Sequence, residues 1–298
     1  MADSSAQAEI RGIDIDKLAK GFADEDIVFK RFVTNSSTKA REIRWYQKTS
    51  GFLQLSSAAY PRIENVSALA RPFTLEQSWD RQTSYVRKYF IESPLISSED
   101  IKDSDIDVLA TNVRDLTRAV SYKVDARIWD VVSEGLPSAA SATINLVNCS
   151  GGKWGAATNL DPIDDLLDAK KKIRQAGYNP EGGSLIINSE SHKELLRYLI
   201  TTKGSSIPAF ASQKVVSGVV MEIVGLNLSV SENVTSKYGI IGNLARACTW
   251  KQFMPITART IEEVGIGTKI RVWEEGEALL TDPKAVCLLS GCGTNAIT

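Results

Sequence analysis

The side chains that most often perform catalysis are few and scattered in this sequence. His192 is the only histidine, and Lys193 and Glu194 follow it in a stretch that predicts the first turn of a helix. A histidine that acts as a catalytic base needs a nucleophile and an orienting group, and no motif supplies them. We therefore interpret His192 as a solvated surface residue and predict that the chain is not an enzyme.

Two glycine-rich segments have only a superficial likeness to nucleotide-binding loops. Residues 150–154 (SGGKW) lack the G-x-x-x-x-G-K-[ST] spacing, and Trp154 stands where a magnesium-binding hydroxyl belongs. Residues 265–267 (GIG) lack the third glycine and the following helix of a dinucleotide fingerprint, so they predict a hairpin turn. Cys287 and Cys292 have no second Cys or His pair at zinc-site spacing and are predicted to be buried thiols. No metal and no cofactor is predicted.

Charge is distributed unevenly along the chain. The total of 35 basic and 36 acidic residues gives a net charge of -1, which argues against a dedicated nucleic-acid binder. Residues 39–71 carry six basic and two acidic side chains, a net of +4, whereas residues 261–298 carry three basic and six acidic ones, a net of -3. The two segments can meet head to tail between copies of the chain. An ordinary solvated mixture of charges explains the pattern equally well. The intersubunit candidates are Arg41, Arg44, Lys48, Glu274, Glu275 and Glu277.

The acidic residues of the last segment have a simpler interpretation than that of catalytic carboxylates. Neighbouring residues of a strand point to opposite faces, so runs such as Glu262-Glu263 and Glu274-Glu275 are typical of alternation on exposed strands. This alternative requires no carboxylate chemistry. It predicts that these side chains are solvated.

A long helix is the strongest predicted element. Apolar residues recur at three- and four-residue steps between residues 105 and 134, which predicts a helix about 45 Å long. Acidic residues crowd its first turn, and Gly135 and Pro137 end it. Such a length is typical of a strut rather than of an element inside a compact domain.

The chain on both sides of this helix predicts two different kinds of structure. Residues 1–31 predict an extended arm with one short helix, and residues 40–77 predict a long hairpin or loop with too little apolar surface to be stable alone. Further on, Asp161 and Ser189 are predicted to cap two helices, the first of which ends at Gly177. A loop is predicted at 201–213, and strands at 185–187, 215–224, 226–230, 238–241, 257–264, 268–273 and 285–289. The last three strands are predicted to be antiparallel.

Composition places the chain among ordinary globular proteins, with 43% hydrophobic and 24% charged residues. Four widely spaced cysteines fit a chain made in a reducing cytosol. The N-terminus shows no signal-peptide pattern, and no apolar run reaches the roughly 18 residues that a membrane span needs. We expect a protein that is neither exported by a signal peptide nor inserted in a membrane.

The order of these elements resembles that of the tailed-bacteriophage major capsid proteins of the Hong Kong 97 type. The resemblance is carried by residues 161–169 (DPIDDLLDA), 177–180 (GYNP), 184–188 (SLIIN), 224–226 (VGL), 230–231 (VS), 239–242 (GIIG), 270–273 (IRVW) and 282–286 (DPKAV). It implies an α+β fold with an N-terminal arm at 1–33, an extended loop at 34–78 and an axial domain at 151–254. It also implies a peripheral domain, with a long spine helix, at 79–150 and 255–298.

The resemblance further implies a structural subunit that self-assembles into an icosahedral shell enclosing double-stranded DNA. The expected partners are copies of itself in pentamers and hexamers, with scaffolding, portal and decoration proteins as candidates, DNA by diffuse contact, and no membrane. The expected location is the virion capsid, assembled in the host cytoplasm. An encapsulin-type compartment, with the same fold around a cargo enzyme, and a small cytosolic α/β enzyme are the alternatives.

The resemblance also directs attention to one lysine. Some members of the family join a loop lysine covalently to an asparagine of a neighbouring subunit, and Lys48 is the corresponding candidate. The sequence identifies neither the asparagine nor an assisting acid. The arm is also shorter than the N-terminal region that some members remove by proteolysis, which implies a separate scaffolding protein or none.

Overall fold

The computed structural model describes residues 28–49, 68–69, 71, 79–103, 108–136, 142–149, 154–155, 161–203 and 222–293. Much of the expected arm (1–27) and of the expected loop (50–67, 70 and 72–78) therefore lies outside the described residues. The same holds for residues 150–153 and for most of the strand expected at 215–224.

The chain divides into two compact units, each assembled from separate stretches of sequence. The first unit comprises residues 1–44, 83–131 and 249–279, and the second comprises 45–82, 132–248 and 280–298. These bounds differ from the division expected from the resemblance. Residues 132–150 and 280–298 group with the second unit, although they were expected beside the long helix.

The helices of the described residues are α1 (Phe29–Phe32), α2 (Ser98–Asp103), α3 (Val108–Val132), α4 (Pro162–Gln175), α5 (Ser189–Tyr198) and α6 (Leu244–Ala247). A short π-helical turn follows α5 at Leu199–Lys203, and a 3₁₀ turn lies at Pro283–Ala285. The predicted long helix is present as α3, which has 25 residues and is about 38 Å long. Its buried face includes Val113, Val120, Val124 and Ile128, as the apolar spacing predicts. No helix of the described residues is long and apolar enough to cross a bilayer.

The strands of the described residues are β1 (Thr34–Ser37), β2 (Glu42–Gln47), β3 (Asp80–Tyr85), β4 (Arg87–Glu92), β5 (Ile96–Ser97), β6 (Asn145–Asn148), β7 (Ser184–Ile187), β8 (Glu222–Ile223), β9 (Leu226–Val230), β10 (Tyr238–Gly242), β11 (Cys248–Glu263), β12 (Gly267–Leu280) and β13 (Val286–Ser290). Strands β2 and β3 form a two-stranded sheet. Strand β3 lies beyond the hairpin or loop expected at residues 40–77, and most of the segment between β2 and β3 is not described.

The first unit is built around a long hairpin, β11 and β12. Its sheet has the order β1-β11-β12-β4, with β5 also paired to β12. The hairpin begins well before the strand predicted at 257–264 and includes Pro255, which sequence reasoning had treated as a boundary. Pro255 is tolerated because β1 pairs with β11 only as far as Gln252, so the missing N–H at Pro255 leaves no bond to β1 unmade.

The turn of this hairpin confirms the interpretation of residues 265–267. Gly265 has φ +76°, and the backbone N–H of Ile266 donates to the carbonyl of Glu263 at 3.0 Å. A Cβ at Gly267 would lie 2.1 Å from the carbonyl oxygen of Ile96, so the close approach of β5 requires glycine there. The segment is therefore a turn between two strands and not a nucleotide-binding loop.

The second unit contains a six-stranded sheet of order β6-β13-β10-β7-β9-β8. Strand β13 was expected in an antiparallel group with the two strands before it, but it pairs antiparallel with β10 and parallel with β6. All four residues of β7 are buried, which explains the unbroken apolar run of its last three, Leu185–Ile187. The sheet places β13 between β6 and β10.

Helix α4 confirms a local capping prediction, and α5 corrects one. The Asp161 carboxylate accepts from the backbone N–H groups of Ile163 and Asp164, at 3.2 and 3.3 Å. The cap of α5 is Asn188, whose side-chain oxygen accepts from the N–H of Ser191 at 2.8 Å, one residue before the predicted Ser189. Asn188 takes this role because its extended backbone leaves its side chain facing the free N–H groups of the first turn.

Candidate interaction surface

Three glutamates of β12 form a cluster of buried charge in the first unit. Glu274, Glu275 and Glu277 retain only 1%, 4% and 2% exposure. The expectation that they alternate on an exposed strand was wrong, because β12 lies between β11 and β4 and cationic side chains from other elements cover the carboxylates. A buried carboxylate is strongly unfavourable unless it is paired. We call these residues the β12 glutamates.

Glu275 is paired with two cations that stay partly exposed. Its Oε2 lies 3.1 Å from Nη2 of Arg41, and its Oε1 lies 3.8 Å from Nζ of Lys88. The Arg41 guanidinium also lies 4.7 Å from the ring centroid of Phe253. The contact with Arg41 is an ion pair without hydrogen-bond geometry, since no described group donates to Oε2. Arg41 and Lys88 therefore shield this carboxylate from water.

Glu277 has the best-formed pair of the three. Two nitrogens of Arg127, Nε and Nη2, lie 2.9 and 2.8 Å from its Oε1. Burial alone lowers the pKa of Arg127, but the bonded Glu277 carboxylate raises it above the usual value. Arg87, more than half exposed, approaches Oε2 from the other side at 3.0 Å. The pair joins α3 to β12.

Glu274 connects the strand to the first described helix. Its Oε1 accepts from Nζ of Lys30 in α1 and, at 3.4 Å, from Nε2 of Gln252. Its Oε2 is buried and receives no hydrogen bond from any described residue. The charge of Lys30, which is 12% exposed, compensates the carboxylate.

A fourth buried acid anchors the chain just before β1. The carboxylate of Asp125 in α3 accepts from three consecutive backbone N–H groups, those of Val28, Phe29 and Lys30, at 2.6, 3.1 and 3.2 Å. Phe29 is completely buried, with its ring centroid 5.7 Å from that of Trp129. Burial raises the pKa of Asp125, and the backbone donors oppose this rise. The contact fixes the start of the described chain on α3.

The basic candidates do not share one environment. The side chains of Arg41 and Arg44 are 66% and 63% exposed, and Arg44 pairs with Glu42 at 2.8 Å, which raises the pKa of Arg44. Lys48 is only 5% exposed, with its Nζ 5.8 Å from the ring centroid of Trp79. Arg44 is thus exposed and paired only with an exposed acid, whereas Arg41 covers the buried Glu275 and Lys48 is enclosed within its own chain.

Sequence reasoning missed an exposed apolar surface at the tip of the β11–β12 hairpin. Val264 is 98% exposed and Ile266 is 58% exposed, although both are aliphatic. Two aromatic side chains are also exposed: Phe90 on the edge strand β4, and Tyr85 at the end of β3. The sequence contained a signal for this surface, because Val264 and Ile266 flank the turn glycine Gly265, and turns of this kind usually carry polar residues. We call Val264 and Ile266 the hairpin tip.

The residues that carry chemistry elsewhere in the chain do not converge on a reactive centre. His192 is half-buried rather than fully solvated as predicted, and burial lowers its pKa. Among the described residues no group of three or more His, Cys, Asp or Glu side chains is placed to hold a metal ion. Cys287 and Cys292 are buried thiols, as predicted.

A long helix, a long hairpin with an exposed tip, and a second unit around a mixed sheet define a structural subunit of the Hong Kong 97-type α+β capsid fold. The family model described as "Phage capsid protein" matches residues 95–289, about two thirds of the chain. The chain therefore belongs to the phage capsid protein family, whose members are structural and not enzymatic, and it is a component of the virion capsid that assembles with copies of itself.

Solved structures agree on the fold at low sequence identity. A capsid structure of the cyanophage P-SCSP1u has a TM-score of 0.64 at 13% identity and covers 90% of this chain and 88% of its own. A structure from Mycobacterium phage Che8 gives 0.61 at 13% identity, with 90% and 92% covered. A virus-like particle from Pyrococcus furiosus gives 0.60 at 12% identity, with 94% and 99% covered. No curated protein sequence matches the chain.

Proposed function

We propose that this chain is the major capsid protein of a tailed bacteriophage, and that pentamers and hexamers of it close into an icosahedral shell around double-stranded DNA. One observation carries the proposal: the family match runs from residue 95 to residue 289 and so includes large parts of both compact units. A shell subunit needs its whole fold to make the contacts of a closed lattice. Scaffolding, portal and decoration proteins are further candidate partners, and the DNA contact is diffuse because the chain is nearly neutral.

We further assign the parts of the chain in this fold. Residues 1–33 are the N-terminal arm and 34–78 the extended loop, of which β2 is the described outgoing strand. In the first unit, residues 83–131 and 249–279 correspond to the peripheral domain with α3 as its spine. In the second unit, residues 132–248 and 280–298 correspond to the axial domain. This assignment moves residues 280–298 to the axial domain, in keeping with the pairing of β13.

The contacts between copies are assigned to exposed rather than buried groups. The hairpin tip offers two aliphatic side chains, and burying each of them stabilises a contact by about 1.5–3 kcal/mol. Arg44 offers a cation whose only ion pair in the described residues is with its strand neighbour Glu42. The β12 glutamates are already paired inside their own chain, so they do not serve as the acidic partner. Exposed Glu262 beside the hairpin tip is the replacement that the structure favours.

One observation favours the encapsulin-type alternative as a second candidate. The virus-like particle from Pyrococcus furiosus is covered over 99% of its length by this chain. A compartment and a phage capsid with this fold differ in content and not in the architecture of the subunit. Nuclease-resistant DNA in particles from infected or induced cells supports the phage capsid, and a co-purifying enzyme without DNA supports the compartment.

The first test is negative-stain electron microscopy of the purified protein, with light scattering on the same sample. We expect closed shells, or rings of five or six subunits. A uniform monomer that stays unassembled with a scaffolding partner present would refute the proposal. Ile266→Asp should abolish assembly and leave the folded subunit intact, because this side chain is mostly exposed in the subunit. Thr268→Asp, two residues further on in β12, is a control for the added charge.

The charge hypothesis needs a narrower test than reversal of all three basic candidates. Lys48→Glu buries a new anion, and Arg41→Glu places one against the enclosed Glu275, so both variants weaken folding for reasons unrelated to assembly. Arg44→Ala removes an exposed cation without either problem. If Arg44 contacts another copy, this variant slows assembly at low salt and leaves circular dichroism unchanged. Assembly at the wild-type rate would remove Arg44 from the interface.

A further inference from the structure

Two buried cysteines meet just beyond the ends of two neighbouring strands in the six-stranded sheet of the second unit. The sulfur atoms of Cys149 and Cys292 lie 3.6 Å apart, close enough for one thiol to donate a hydrogen bond to the other. Cys149 follows β6 and Cys292 follows β13, two parallel neighbours in the sheet. The N–H of Cys149 donates to the carbonyl of Ser290 at 2.8 Å, so the backbones at this position are held together.

The other two cysteines lie within strands, Cys287 in β13 and Cys248 in β11. Cys287 lies on β13 with its thiol directed at the carbonyl oxygen of Leu288, 3.8 Å away. Cys248 is buried at the start of β11. Cys149 and Cys292 are 143 positions apart in the sequence, so spacing alone gives no hint that they meet.

We propose that Cys149 and Cys292 are a cross-linking site that forms an intrachain disulfide once the particle has left the reducing cytosol. The oxidant is a small-molecule disulfide such as oxidised glutathione. One cysteine thiolate attacks it and releases one small thiol, and the second cysteine thiolate then displaces the other. Two protein thiols are thereby oxidised, one S–S bond forms between them, and one small disulfide is reduced to two thiols.

The buried position controls when this reaction occurs. Burial, with a further contribution from Cys149, raises the pKa of Cys292, so little thiolate is present while the sheet is closed. The oxidant gains access only when the strand end opens. Oxidation is then slow, and once formed the bond is shielded from reduction. Disulfides persist in oxidising surroundings, which include the exterior of a released virion.

The bond has a mechanical consequence for the second unit. The backbone N–H of Trp154 donates to the carbonyl of Gly291 at 3.1 Å, so hydrogen bonds already hold the residues around Cys292. A covalent link between the ends of β6 and β13 prevents the C-terminal strand from leaving the sheet independently. It also closes a long loop in the unfolded chain, which favours the folded state.

The experiment treats purified protein with oxidised glutathione, removes the oxidant, unfolds the protein in urea, blocks the remaining thiols with N-ethylmaleimide, and analyses tryptic peptides without reduction. Cys287 and Cys292 share the peptide 285–298, so the Cys287→Ala variant is needed to assign the link. We expect two of the four thiols to escape alkylation, a linked peptide in wild type and in Cys287→Ala, and none in Cys149→Ala. The oxidised protein should melt at a higher temperature than the reduced protein, and this difference should vanish in Cys149→Ala.

Four alkylated thiols after prolonged oxidation, or a link that involves Cys287, would overturn the inference. The outcome is independent of assembly, since the two cysteines belong to one chain. Closed shells with four free thiols would refute the disulfide and leave the capsid function intact. A disulfide-linked monomer that never assembles would support the disulfide and refute the capsid function.

Discussion

The pairing of Glu277 with Arg127 gives the sharpest prediction about stability. The carboxylate is almost fully buried, and Arg127 is 21% exposed with two of its nitrogens bonded to one oxygen. Removal of one partner from a buried pair leaves an uncompensated charge and costs about 3–5 kcal/mol. We expect Glu277→Ala to lower the free energy of unfolding by about 3 kcal/mol, the lower end, because Arg127 retains some access to water and keeps its ion pair with Asp130.

The assay is equilibrium urea denaturation followed by tryptophan fluorescence, under conditions where light scattering detects no particles. Glu262→Ala, on the exposed end of the same hairpin, is the matched control and should change stability by less than about 0.5 kcal/mol. Arg87→Ala should cost less than about 1 kcal/mol, because Arg87 is largely solvated. The loss of stability in the three variants should therefore follow the burial of the group that is removed, and not the number of ion pairs that are lost.

A double variant separates loss of the pair from loss of the unpaired charge. Arg127→Met with Glu277→Leu removes both charges and keeps apolar volume, so it should recover most of the loss caused by Glu277→Ala. If Glu277→Ala lies within about 0.5 kcal/mol of wild type at an unchanged denaturant slope, the pair does not support the fold and the reasoning fails. A double variant no better than Glu277→Ala would mean that specific geometry, rather than charge burial, dominates.

Three further predictions concern the same unit. Burial, and to a smaller extent Glu277, raises the pKa of Tyr89 to about 12, above the unfolded value of about 10, so the stability present below pH 10 declines as the pH rises towards 12. Tyr89→Phe should remove this alkaline decline in urea titrations. Gly276→Ala places a Cβ 2.4 Å from the ring of the buried Trp250 and should cost about 1–3 kcal/mol in the same assay; wild-type stability would show that the indole can move aside. Asp125→Ala leaves three backbone N–H groups without their acceptor and should increase hydrogen exchange at residues 28–30. Unchanged protection there would contradict the anchoring role of Asp125.

Local signals predicted the elements well. The three- and four-residue spacing of apolar residues found α3, and the pair Asp161 and Pro162 found the start of α4. These succeed because capping and amphipathicity depend on residues within one or two turns. The error at Ser189 was a single residue, as expected where neighbouring Asn and Ser can both cap.

Predictions that depend on distant parts of the chain were less successful. The sheet that receives β13 is decided by β6 and β10, which lie about 140 and 50 residues earlier in the chain, and the apolar pattern of β13 is compatible with either sheet. The burial of the β12 glutamates is equally non-local, since their partners come from α1, the start of β2, β4 and α3. A run of acids in a strand carries no information about which cations will cover it.

The same non-locality changes the interpretation of charge in assembly. The opposite net charges of residues 39–71 and 261–298 do meet, but Arg41 and Glu275 meet inside one chain. Charges satisfied within a subunit can set the position of the loop strands before any neighbour arrives. They contribute little to the contact with that neighbour, since breaking them would leave a buried carboxylate unpaired. Attraction between copies must therefore come mainly from groups that a single subunit leaves in water, and the hairpin tip, with Val264 almost fully exposed, is one such group.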